Sequence, residues 1–269
     1  MITRDTCRAD SFLEKGWCRF PHDPALAQWI RHVLPAARRA ATSPEHARWL
    51  RCGDTWFVGV NALPNDDQGA VDDGPALTGK VVDFIHHSLE MAKPAWDRAQ
   101  ISICYPGYPR RTDGESGAAH RYRVERDAAH VDGLLAEGVE RRRYVREHHA
   151  FILGIPMVRT DPDASPFVVW EGSHEIVRAA FRNALRDVRP DAWCHVDITD
   201  IYHATRRRIF ECCRRIEIAA VPGEAYLVHR LALHGMAPWR LSDSQPPEGR
   251  MICYFRPDIG DPSRWLTAP

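Results

Sequence analysis

The chain has 269 residues, 44% of them hydrophobic and 27% charged, with 36 basic side chains balanced by 36 acidic ones. Zero net charge argues against a general nucleic-acid binder, which needs a basic excess to neutralise phosphates. No run approaches the roughly 20 apolar residues of a membrane helix. One domain over 1–269 is expected, with a helical lead-in over 1–98 and a β core over 99–257.

The opening Met1-Ile2-Thr3-Arg4-Asp5-Thr6-Cys7 lacks the apolar stretch of a signal peptide, which points to the cytoplasm. Eight cysteines stand at 7, 18, 52, 104, 194, 212, 213 and 253, none in a C-x-x-C pair, so reduced thiols are expected rather than a zinc ribbon. Asp23-Pro24 supplies an N-cap and a first-turn proline. Leu26, Trp29, Ile30, Val33, Leu34 and Ala37 then recur at helical spacing. Thr55–Val60 reads as a strand, and 65–69 and 72–75 read as loops. A second helix is expected from about Leu77 to Met91, with Val81, Val82, Ile85 and Leu89 on one face and an end near Pro94.

From residue 99 the pattern changes to short strands: Gln100–Tyr105, Tyr122–Glu125, Ala150–Val158, Phe167–Trp170, Ile216–Val221, Glu224–Leu233 and Arg250–Phe255. Helices interrupt them, one capped by Ser173 and running to about Arg186, another from about Ile198 to Arg215. The fold expected is mainly β with flanking helices, a sandwich or jelly roll.

His130-Val131-Asp132 carries the chemistry. Side chains two apart on a strand share a face, so the imidazole and the carboxylate point the same way. A distant histidine would complete a set of two imidazoles and one carboxylate, the facial triad that non-haem iron enzymes use. His234, in Leu233-His234-Gly235, is the candidate, and His229 competes with it. Five residues apart on a regular strand, the two would face opposite sides, so only one can serve. Without a metal, His130 would pack half-buried, Asp132 would open an Asx turn with Gly133, and His234 would be a core or edge histidine. Arg250 opens an apolar strand, where a buried guanidinium needs an anion and would grip a carboxylate bidentately; Arg256 is the alternative. Trp56, Trp170 and Trp239 could line a pocket or sit in the core. His174 reads as structural, and the pairs His86-His87 and His148-His149 as surface or half-core residues. Basic runs at 110–111, 141–143, 206–208 and 214–215 read as solvated faces balanced by Glu137, Glu140, Glu147 and Glu211, the alternative being an anionic substrate.

Taken in order, His130-Val131-Asp132, Trp170-Glu171-Gly172-Ser173-His174, His234-Gly235 and Arg250 resemble the phytanoyl-CoA dioxygenase family of Fe(II)/2-oxoglutarate oxygenases. The resemblance spans about 99–257. It implies a double-stranded β-helix of the jelly-roll or cupin type, with His130, Asp132 and His234 as iron ligands and Arg250 as the 2-oxoglutarate clamp. It further implies Fe(II), 2-oxoglutarate and O2 as cofactor and cosubstrates, and hydroxylation of a small organic molecule with release of succinate and CO2. The chain departs from the family pattern in four places. Glu171 stands for a proline, and Met236-Ala237-Pro238 replaces an Asn-x-Ser. The 242–249 loop is longer, and Gly154 falls where a tryptophan is common. A cupin-type metalloenzyme without 2-oxoglutarate and a non-catalytic jelly-roll binding protein are the rival readings.

Overall fold

The computed structural model describes residues 4–89, 91, 95–240 and 248–269. Helix α1 (Arg4–Lys15), strand β1 (Trp17–Phe20) and helix α2 (Pro24–Thr42) open the chain. The Asp23 cap serves two helices. Its Oδ1 accepts from Ala25 N–H at 2.9 Å, and its Oδ2 accepts from Lys80 N–H at 2.7 Å, the start of helix α3 (Lys80–Asp83). Between α2 and α3 lie β2 (Leu50–Arg51) and β3 (Trp56–Phe57). The strand expected over 55–60 is cut to two residues, with Gly59 in the left-handed region at φ +51°. The helix expected from Leu77 begins at Lys80 and loosens into a π-turn over Phe84–Ser88; its expected end at Pro94 lies outside the described residues.

The remainder comprises β4 (Gln100–Cys104), α4 (Gly117–Glu125), β5 (Leu134–Glu137), β6 (Arg142–Val145), β7 (Phe151–Pro156), β8 (Phe167–Trp170), α5 (Ser173–Leu185), α6 (Thr199–Cys212), β9 (Arg215–Ile218), β10 (Ala225–His229), β11 (His234–Met236) and β12 (Arg250–Phe255). Antiparallel pairing gives a seven-stranded sheet in the order β1-β10-β7-β12-β4-β3-β2, a three-stranded sheet β11-β8-β9, and a β5-β6 hairpin. The molecule is mainly sheet with flanking helices. Among the described residues no helix is long and apolar enough to cross a membrane.

Three expectations are corrected. The first third is not simply helical: it supplies both edges of the large sheet, β1 on one side and β3-β2 on the other. Tyr122–Glu125 is the end of helix α4, not a strand; Ser116 Oγ caps that helix by accepting from Ala119 N–H, and the Tyr122 hydroxyl donates to Ala129 O. The strand expected over 224–233 is only half strand. β10 ends at His229, a tight turn follows in which Ala232 N–H donates to His229 O, and β11 joins the other sheet. The turn is held by Arg230, whose buried guanidinium donates to the carbonyls of Trp265, Ala150, Pro269, Arg264 and Ala268.

Alternation along β12 explains the core. Met251, Cys253 and Phe255 face α2, where Trp29 and Val33 are fully buried. Ile252 and Tyr254 point the other way, into the space between the sheets, and join Ile152, Phe167 and Tyr226. A strand covered on both faces must be apolar throughout, which is why β7 and β12 are buried at every position.

Candidate metal centre

His130 and His234 exchange both backbone hydrogen bonds, His130 N–H to His234 O at 2.8 Å and His234 N–H to His130 O at 3.0 Å. This isolated bridge sets the two imidazoles side by side, ring centroids 4.6 Å apart. Asp132 follows in a turn closed by Gly133 at φ +80°, where any Cβ would strike the Glu147 carbonyl. One ligand atom from each of His130, Asp132 and His234 lies within 4.8 Å of the others. The Asp132 Oδ1 is 3.3 Å from His130 Nε2 and 3.6 Å from His234 Nε2. Neighbouring ligands of an octahedral ion with bonds near 2.1 Å sit about 3 Å apart, so the spacing fits.

The protonation pattern fits as well. His130 Nδ1 faces Ala128 O at 3.0 Å, and His234 Nδ1 faces Ala232 O at 2.9 Å. A carbonyl only accepts, so each Nδ1 carries the ring proton and each Nε2 turns a lone pair toward Asp132. Three electron-pair donors thus converge with no proton between them, an arrangement that a cation relieves. Burial alone would raise the Asp132 pKa. The Arg256 guanidinium, 3.3 Å from Oδ2, is the full positive charge beside it and draws the carboxyl well below its usual range. Phe167 stacks on the His234 ring at 5.4 Å. These groups open onto a cavity of about 160 Å³ whose other walls include Trp56, Val58, Ile152, Met236 and Tyr254.

Arg250 is not in that cavity. Its side chain, 6% exposed, borders a second cavity of about 560 Å³ together with Arg19, Arg159, Tyr226 and Ile252. Met236 stands between the two: it lines the first cavity, and its Sδ lies 4.0 Å from Arg250 Nη1. Among the described residues no carboxylate pairs with Arg250, whereas Arg256 lines the first cavity against Asp132.

His229 is excluded from the cluster, though not by strand alternation. The chain turns after it, and its ring is fully buried beside His174, with Nδ1 accepting from Leu231 N–H and Nε2 2.7 Å from Arg178 Nη2. His174 is structural, its Nε2 2.9 Å from Leu13 O. His86 and His87 are exposed, and His148 and His149 half-buried. Ser173 is not the cap of α5. Gly172, at φ +75°, takes that place, and Ser173 Oγ accepts from Leu233 N–H at 2.9 Å, next to His234. Trp170 is core, Trp56 lines the metal-side cavity, and Trp239 packs on the nearby Cys52, Cys104, Tyr108 and Met236 cluster.

The basic runs do not reach the metal-side cavity. Arg142 pairs with Glu140 and Asp197, and Arg206 lies over the rings of Tyr122 and Tyr202. Two departures from the family pattern acquire physical reasons. At Gly154 a Cβ would collide with the Tyr226 ring, which fills the space a tryptophan would take. Glu171 accepts from Trp17 Nε1 at 3.0 Å and ties β1 to the turn before α5. The lengthened loop falls largely at 241–247, outside the described residues. Ser102, Tyr254 and Met236 were not foreseen in the sequence. Period-two alternation from Cys104, Arg250 and His234 is the signal that finds them.

No protein-family model matches the sequence, and no curated protein matches it. Among solved structures the chain is similar to the epimerase SnoN from nogalamycin biosynthesis, in complex with Fe3+, alpha ketoglutarate and nogalamycin RO. The TM-score is 0.50 at 11% identity, over 94% of this chain and 83% of that one. EctD from S. alaskensis with bound Fe gives a TM-score of 0.49 at 14% identity, over 93% and 74% of the two chains. AviO1 from Streptomyces viridochromogenes Tue57 gives 0.43 at 11%, over 100% and 99%. At these identities the likeness is one of fold.

Proposed function

We propose that the chain is a non-haem Fe(II)/2-oxoglutarate-dependent dioxygenase acting on a small organic molecule. The observation that carries this reading is the convergence of His130 Nε2, Asp132 Oδ1 and His234 Nε2, with both Nδ1 atoms pinned by backbone carbonyls. These three atoms would hold the iron, and Arg250 would receive the distal carboxylate of 2-oxoglutarate. Bound iron, 2-oxoglutarate and O2 together supply an oxidative decarboxylation to succinate and CO2 that delivers an oxygen atom to substrate. The chain's own part is positional. Arg256 fixes the second oxygen of Asp132, and Trp56, Val58, Ile152 and Phe167 keep the cavity poor in water.

Hydroxylation of a C–H bond is the outcome proposed, because Asp132 completes the ligand set and leaves no place for a halide ligand. The SnoN name, an epimerase, marks a different outcome on a similar fold. The facing sheets are read as one double-stranded β-helix domain, and the free cysteines support a cytoplasmic setting. A metalloenzyme that does not use 2-oxoglutarate is the second reading, favoured by the opening of Arg250 onto the other cavity.

Adding 2-oxoglutarate to the anaerobic Fe(II) protein separates the two readings. The first requires a visible metal-to-ligand charge-transfer band, lost in His130→Ala and Asp132→Ala; a wild-type protein that binds Fe(II) without the band is the second. Succinate formation unchanged in either variant would end the ligand assignment.

A further inference from the structure

The two imidazoles of the cluster are held by different means. The His234 side chain is 5% exposed, stacked on Phe167 and carried by the pairing of β11 with β8. The His130 side chain is 49% exposed, so packing does not fix its ring. What orients it is the Ala128 carbonyl, 3.0 Å from Nδ1. The chain reaches that placement through two consecutive residues in the left-handed region, Asp127 at φ +53° and Ala128 at φ +51°. L residues resist that conformation, and a run of two needs an outside restraint.

Arg215, on β9, supplies the restraint. Its Nε and Nη2 donate to Asp127 Oδ2 and Oδ1 at 2.7 and 2.8 Å, a two-pronged grip on a side chain only 4% exposed. A buried carboxylate cannot lose such a partner without heavy cost, so Asp127 stays where Arg215 puts it. Its backbone is wedged from the other side. Asp127 O accepts from Met236 N–H at 2.9 Å, and a Cβ on Gly235 would come within 2.1 Å of that oxygen. Strand β8 lies between β9 and β11, with Trp170 opposite Arg215 and Val169 opposite His234. The small sheet therefore holds one imidazole by strand pairing and reaches the other through the Arg215 fork. We propose that Arg215 and Asp127 are a positioning pair for His130. They lock the 127–128 turn, so that Ala128 O keeps the ring proton on Nδ1 and the Nε2 lone pair is left for the metal. The assignment rests on the metal reading above. Neither residue lines the metal-side cavity; both act through the Ala128 carbonyl.

The test reads the histidines one by one in the metal-free protein at about pH 8, where an ordinary imidazole is neutral. Long-range proton–nitrogen correlation NMR shows which ring nitrogen carries the proton, with His130→Gln and His234→Gln assigning the signals. Near-UV circular dichroism checks that each variant folds. Wild type should show the Nδ1–H form at both histidines. Asp127→Asn keeps the size and the tolerance for positive φ, so a change there reports the ion pair rather than a backbone preference. Asp127→Asn and Arg215→Ala should each move a large part of His130 to the Nε2–H form while His234 stays at Nδ1–H. Co(II) affinity should fall about 10–100-fold in both variants. Arg215→Lys, which restores the charge without the fork, should recover part of the loss. His130 unchanged in both variants refutes the pair, whatever the Co(II) result. A shift of both histidines together refutes it as well, because a general loosening would move them alike. A wild type that binds no Co(II) ends the metal reading instead, and the proton readout still decides whether Arg215 and Asp127 set the His130 ring.

Discussion

Ser173 links the helix α5 turn to the strand carrying His234, and its removal has a calculable cost. The side chain is fully buried, and its Oγ accepts the buried N–H of Leu233 at 2.9 Å. Ser173→Ala leaves that N–H with no partner and no access to water, a penalty of about 1–3 kcal/mol. At about 2 kcal/mol and a urea slope of about 3 kcal/mol/M, the unfolding midpoint falls by about 0.7 M with an unchanged slope. The damage also travels one residue along the chain. Leu233 O accepts from Trp170 N–H, and His234 is bridged to His130, so a slack Leu233 shifts one imidazole against the other. Loss of such an outer support lowers metal affinity by about 10–100-fold. Urea denaturation of the metal-free protein reads the first effect, and Co(II) titration by ligand-field absorption, well below the unfolding midpoint, reads the second. A variant with the wild-type midpoint and wild-type Co(II) affinity would show that Ser173 supports neither the strand nor the site.

Two further outcomes test the frame and the rim. Asp23→Ala removes the acceptor for two helix starts, about 1 kcal/mol for the α2 cap and a similar amount for Lys80 N–H. The thermal unfolding midpoint should drop by about 3–5 °C, and Asp23→Asn, which keeps one acceptor, should recover about half. Glu217 is bonded by Arg240 and Arg215, and these bonds pull its pKa from 4.5 down to about 2. A depressed carboxylate stabilises the fold fully above pH 4.5 and loses that contribution as pH falls toward 2. On this solvent-washed rim the contribution is about 1 kcal/mol at most. The stability gap between wild type and Glu217→Gln, followed by denaturation across that range, should close at the acid end; a gap independent of pH would remove the ion-pair explanation.

Legibility in the sequence followed the range of the forces involved. β8 and β12 begin and end where apolar runs suggested, because strands buried on both faces are written in consecutive residues. The Asp23-Pro24 start of α2 is equally local. Tyr122–Glu125 misled because four alternating residues suit a strand or a helix end, and only the Ser116 cap decides. β2 and β3, two residues each, are too short to carry a period. The break after His229 was hidden inside an apolar run. Its cause is Arg230, which spends its donors on Ala150 and the 264–269 segment, distant groups that no local pattern encodes. The same divide runs through the candidate site. The His130–Asp132 spacing is local, whereas the bridge to His234 spans a hundred residues.

Strand β12 shows why the two arginines cannot be exchanged. Arg250, Ile252 and Tyr254 share its inward face, and Arg256 falls on the same parity just past its end, six residues and about 20 Å from Arg250 along an extended chain. Each guanidinium, half-buried or buried, needs negative charge. Arg256 has it within the protein, from Asp132 at 3.3 Å, and so is spent on holding a proposed ligand in place. Arg250 meets a thioether at 4.0 Å and tyrosine hydroxyls, and no carboxylate among the described residues. A dipole that accepts weakly does not offset the loss of water around a full charge. On the proposed reading the missing charge is brought by the cosubstrate. The arginine without a carboxylate partner is therefore the one expected to select a diacid over a monoacid.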